Sequence, residues 1–142
     1  MKIFNKNYND PSVTKEIETI VGKPFSFRER LKRRGIGSTK LHVLEMSENL
    51  RPYFDKSVNL VYVSIEQRPT GMIVYMKGNL NDYCWAIPFY HLSIFQSDFY
   101  SIHADGAFLK LDLKSIYPHN AKFFERLQLS KANYQEDTYT TN

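Results

Sequence analysis

The chain has 142 residues, 42% of them hydrophobic and 24% charged, and a formal charge of +4. This length suits one domain with a core of its own, so neither disulfides nor a structural metal is needed to hold it. One cysteine, Cys84, excludes a disulfide framework and a multi-cysteine zinc site, and six Gly and six Pro exclude collagen-like or low-complexity architecture.

Residues 1–10 are polar and Asn-rich and read as a frayed start. Pro11–Val21 predicts a short amphipathic helix, because Val13, Ile17 and Ile20 recur at helical spacing and Gly22 and Pro24 stop it. Ser26–Arg34 predicts one or two further helical turns, with Ser26 as N-cap and Gly35 and Gly37 at the end. Lys40–Met46 reads as a strand without a clean apolar face, and 47–56 as a loop or short helix around Pro52.

From Val58 the apolar period becomes two. Val61, Val63 and Ile65 face one way along the first strand, and Arg68-Pro69-Thr70-Gly71 is a type I turn signature. Met72–Lys77 returns, Gly78–Asp82 is a hairpin loop, and Tyr83, Trp85 and Ile87 alternate until Pro88. Strands over 93–96 and 99–103 follow. Asp105-Gly106 favours a type I′ turn into Ala107–Leu113, whose Leu109, Leu111 and Leu113 point inward. The period returns to 3.6 after Pro118, with Asn120 as a cap and Ala121, Phe123, Phe124 and Leu127 on the apolar side.

The reading is mainly β, with α appendages: about seven short antiparallel strands closed into a small barrel, capped by a C-terminal helix. It divides into a helical, basic N-terminal extension at 1–38, the β-barrel with its helix at 39–133, and a polar tail at 134–142. The core is expected to unite Val61, Val63, Ile65, Leu109, Leu111, Phe124 and Leu127.

The stretch WAIPFYHLSIF at 85–95, and the hairpin at Asp105-Gly106 with AFLKLDL and the helix NAKFFERLQL at 120–129, resemble bacterial pleckstrin-homology-like barrels of the PH/GRAM type. The arrangement RPTG…WAIPFY…SIHADG is also similar to that of a family of Bacteroidota proteins. The resemblance covers roughly 58–130. It implies a barrel that serves lipid binding, peptide binding or scaffolding, so it does not select a role. Lipid-binding members place basic residues between their first two strands. Here the turn at 68–71 offers Arg68 alone, so a bound lipid headgroup is not expected.

No nucleophile elbow, dinucleotide loop or Walker loop occurs, and His42, His91, His103 and His119 show no metal-ligand spacing. No cofactor and no catalytic residue is expected. The charge is concentrated instead. Between Lys23 and Lys40 seven cations face Glu29 alone, a local charge of +6, and the rest of the chain is slightly acidic. Such a field draws anionic partners. Arg28, Arg30, Lys32, Arg33 and Arg34 are the candidate basic contact. Ten Tyr, ten Phe and one Trp exceed what a small barrel can enclose, so Tyr62, Tyr75, Tyr90 and Phe108 are candidate exposed contacts. The expected function is a non-catalytic interaction module binding a protein partner, or a second copy of itself. The alternative is a nucleic-acid- or ribosome-associated protein using 23–40, with RNA or an acidic surface as partner. Met1–Asp10 has no apolar h-region, and Trp85–Phe95 is about half the ~20 residues of a membrane span. No span is expected, and the location read from this and from a lone thiol is cytoplasmic.

Overall fold

The computed structural model describes residues 1–6 and 10–140. In chain order the elements are β1 (Lys2–Asn5), α1 (Pro11–Val21), α2 (Phe27–Lys32), β2 (Leu41–Met46), β3 (Val61–Arg68), β4 (Gly71–Lys77), β5 (Asp82–Pro88), β6 (Ser93–Gln96), β7 (Tyr100–Ala104), β8 (Ala107–Leu111), α3 (Leu113–Ile116) and α4 (Ala121–Thr140). Short 3-10 turns occupy Glu48–Tyr53, around Pro52, and Phe89–His91.

The eight strands form one antiparallel sheet in the order β1-β5-β4-β3-β2-β8-β7-β6. The protein is therefore mainly β, as expected, but the sheet is not closed into a barrel: among the described residues β1 and β6 each pair on one side only. Two meanders, β2 to β5 and β6 to β8, are joined where β2 pairs with β8. The seven expected strands are all present, and the eighth is β1. Residues 2–5 are not frayed, because Ile3 pairs with Trp85 and Phe4 with Cys84 along β5. Ile3 then reaches the main core and Phe4 a smaller cluster beneath α1.

The main core lies on one face of the sheet. Val63 and Ile65 of β3, Met72, Val74 and Met76 of β4, Trp85 and Ile87 of β5, and Leu109 and Leu111 of β8 meet Phe123, Phe124 and Leu127 of α4 there. Of the seven residues expected in this core, six are buried in it and Val61 is half-buried at its margin. Tyr100 anchors α4. Its ring lies 4.5 Å from that of Phe124 and its hydroxyl accepts from Gln128 Nε2 at 2.6 Å. Gln67 Nε2 donates to Ser130 Oγ at 2.7 Å farther along the helix.

The opposite face is covered in part by α1, whose Ile17, Ile20 and Val21 meet Ile73, Cys84 and Ala86. Gly71 permits that contact. A Cβ there would stand 2.3 Å from the Ile87 carbonyl oxygen and 2.7 Å from Val21 Cγ1. Arg68 ties the end of α1 down, its guanidinium donating to Gly22 O at 2.9 Å while Nε pairs with Glu66 at 2.7 Å.

One local reading is explained and two are corrected. β2 has no clean face because its register shifts between Val43 and Glu45, so Leu44 is an extra, outward residue. β8 stops at Leu111 rather than 113, because Asp112 caps α3, accepting from Lys114 N at 3.0 Å. Helix α4 continues through Thr140, into the segment read as a polar tail, and Tyr134 supplies a reason by placing its ring 5.9 Å from that of Phe89. The type I′ turn is formed, with Asp105 at φ 51° and Gly106 at φ 77°.

Candidate binding cleft

Strand alternation divides β3 and β4 cleanly. Val63, Ile65, Val74 and Met76 go to the core, and Tyr62, Ser64, Glu66 and Tyr75 to the other face. The register sets Ser64 opposite Tyr75, one step along from Tyr62 on its own side of the ladder. Two of the four aromatic candidates therefore share one site. Tyr62 and Tyr75 line a cleft of about 440 Å³ at the Val61 end of β3. Its other walls come from Phe54, Val58 and Leu60 on the segment leading into β3, and from Tyr83 at the start of β5.

Three lysines, Lys6, Lys40 and Lys77, line this cleft. Lys6 Nζ stands 4.5 Å from the Tyr75 ring centre and Lys40 Nζ 5.9 Å from that of Tyr62, within cation–π range. Among the described residues none of the three makes a salt bridge. Two carboxylates, Asp55 and Asp82, share the lining. Asp55 is held ionised by its own turn. It accepts from Ser57 Oγ at 2.6 Å and Ser57 N at 2.9 Å, and these bonds lower its pKa.

The deep side of the cleft is fixed. Tyr75 is half-buried and its hydroxyl donates to Glu66 Oε1, which in turn holds Arg68. Burial foremost, then that bond to Glu66, pushes the Tyr75 phenol well above its ordinary value. Tyr75 is thus a neutral wall across the physiological range. Tyr62 is 41% exposed and forms the open wall. Its ring lies 5.5 Å from that of His42.

The other candidates lie elsewhere. Tyr90 is exposed on the turn after β5, beside His91, whose Nδ1 is 2.8 Å from Asp105. Phe108 is half-buried on the outer face of β8, in a ring cluster with His103 and Phe95, and Lys110 lies over both Phe108 and Phe99. The basic segment is at the far end of β3 from the cleft. There Gln67 N donates to Ile36 O at 2.6 Å and Ser38 N to Ile65 O at 2.8 Å. Arg33 pairs with Glu29 at 3.2 Å and lies over the Phe25 ring, and Arg30 Nε donates to Phe25 O at 3.1 Å. Arg28, Lys32 and Arg34 have no side-chain partner among the described residues. The expected aromatic and basic contacts therefore do not merge into one surface. The cations that do join the tyrosines are Lys40, the last of the basic run, and Lys6 and Lys77, isolated lysines that no run of charge marks.

Cys84 is buried under α1, and burial raises its pKa, which leaves it an unreactive thiol. No helix among the described residues is long and apolar enough to cross a membrane. No family model matches this chain, and neither does any curated protein or solved structure.

Proposed function

We propose that this protein is a non-catalytic interaction module that holds an acidic segment of a protein partner in the cleft between Tyr62 and Tyr75. The observation that carries the reading is one apolar-walled cleft lined by three lysines that make no salt bridge among the described residues, two of them, Lys6 and Lys40, set over tyrosine faces. A carboxylate-bearing segment with an apolar or aromatic neighbour meets both demands. Its charge is taken by Lys6, Lys40 and Lys77, and its side chain by Tyr62, Leu60 and Val58.

A pleckstrin-homology-like scaffold is part of this proposal. It is supported by two meanders of four and three strands joined at β2 and β8, with α4 against the core face. In such a scaffold binding surfaces are grafted onto a rigid sheet, and the cleft here is built on the ends of β3, β4 and β5.

The test is fluorescence anisotropy with a labelled peptide of alternating Glu and Tyr, and one of alternating Lys and Tyr as control. The Glu peptide should bind, and Tyr62→Ala or Lys77→Glu should each weaken it by about tenfold, as expected for a central aromatic or a paired charge. Equal binding of the two peptides, or no effect of either substitution, would refute the reading.

A further inference from the structure

Helix α2 buries none of its side chains, although a helix this short has little stability of its own in water. Phe27 is 76% exposed and Leu31 is 65% exposed. They stand four positions apart and so form one stripe. At about 100° per residue, Arg28 and Lys32 lie on one flank of that stripe and Arg30 on the other, while Glu29 falls on the far side. Glu29 is also occupied, by Arg33. The helix therefore presents an apolar ridge with Arg28 and Lys32 on one side and Arg30, whose Nε donates to Phe25 O, on the other, and Arg28, Lys32 and Arg34 have no partner among the described residues.

We infer that α2 is an interfacial anchor that lays Phe27 and Leu31 into the surface of an anionic lipid bilayer. The inference is independent of the cleft, which lies at the opposite end of β3. Apolar side chains on a projecting ridge, with cations at the level of the ridge on both sides, match the headgroup–acyl boundary, where phosphates surround a shallow apolar layer. A nucleic acid would satisfy the cations and leave Leu31 in water. A second copy of this chain would bring the cationic ridge to a cleft that holds three lysines itself. Charge complementarity thus selects the anionic surface. With two apolar side chains the anchor is weak and reversible, and it depends on both kinds of contact together.

The experiment is co-sedimentation of the full chain with vesicles of phosphatidylcholine alone and of phosphatidylcholine with phosphatidylserine. The protein should sediment with the anionic vesicles and not with the neutral ones. Phe27→Ser with Leu31→Ser should reduce the bound fraction by about tenfold, and Arg28→Glu with Lys32→Glu should abolish it, because both contacts are required. Circular dichroism melts should be unchanged in both double variants, since neither pair is buried. Absence of sedimentation with anionic vesicles would overturn the inference, as would full binding by the Phe27→Ser/Leu31→Ser variant. Retention on polyuridylate that ignores Phe27 and Leu31, without vesicle binding, would assign the segment to nucleic acid instead.

Discussion

Asn120 and Thr39 hold each other by two hydrogen bonds across 81 positions of sequence: Thr39 N donates to Asn120 Oδ1 at 2.9 Å, and Asn120 Nδ2 donates to Thr39 Oγ1 at 2.8 Å. The same amide donates to Ser115 O at 2.7 Å. Asn120 is buried, immediately before α4, so its side chain joins the approach to β2 to the approach to the C-terminal helix. Asn120→Ala would remove three hydrogen bonds and leave a small cavity at a buried position, while Thr39 N–H, on an exposed residue, and the half-buried Ser115 carbonyl lose their partner. The expected loss is about 1–3 kcal/mol in urea melts, and Asn120→Asp should recover the contacts to Thr39, whose N–H and hydroxyl can both donate to a carboxylate, but not the donation to Ser115 O.

Leu111 and Leu44 separate the two faces. Leu111 is fully buried, whereas Leu44 is the outward residue of the β2 bulge. Leu111→Ala should cost about 2–5 kcal/mol, from lost burial and the cavity left behind. Leu44→Ala should stay within about 0.5 kcal/mol, as surface changes do. Similar costs at the two positions would mean that the register of β2 is shifted by one residue.

The long alternating strands were legible because each buries one face, and Asp105-Gly106 was legible because its backbone demands positive φ twice. The parts that were not legible depended on partners distant in sequence. β1 is a short KIFN segment inside a polar, Asn-rich stretch and becomes a strand by adding to β5. The bulge at Leu44 cancels the period that would have marked β2. The aromatic count marks Tyr62 and Tyr75 as surplus to the core, but their convergence follows from the β3–β4 register. Lys6 and Lys77 carried no signal, since single lysines beside strands are ordinary, whereas the conspicuous run at 28–34 drew attention to the opposite end of β3.

Alkaline titration tests the anchoring of α4. Burial, partly offset by the bond from Gln128, raises the Tyr100 phenol from 10.0 to about 12. A group that holds its proton more tightly when folded contributes stability below its unfolded pKa and loses it as pH climbs through the folded one. Stability should therefore fall between pH 10.0 and about 12. Tyr100→Phe should make that fall shallower, with Tyr75 retaining a share because its phenol is raised too. Denaturant midpoints measured across this range decide it. An unchanged slope in Tyr100→Phe would show that the hydroxyl is solvated in the folded protein.

The cleft is the central claim, and backbone amide chemical shifts report on it most directly. Titrating the Glu–Tyr peptide into isotope-labelled protein should move the amides of Lys40, Tyr62–Ser64 and Tyr75–Lys77, which border the cleft, and leave Phe27–Arg34 in place. Shifts confined to Phe27–Arg34, or spread evenly over the cationic surface, would contradict the account.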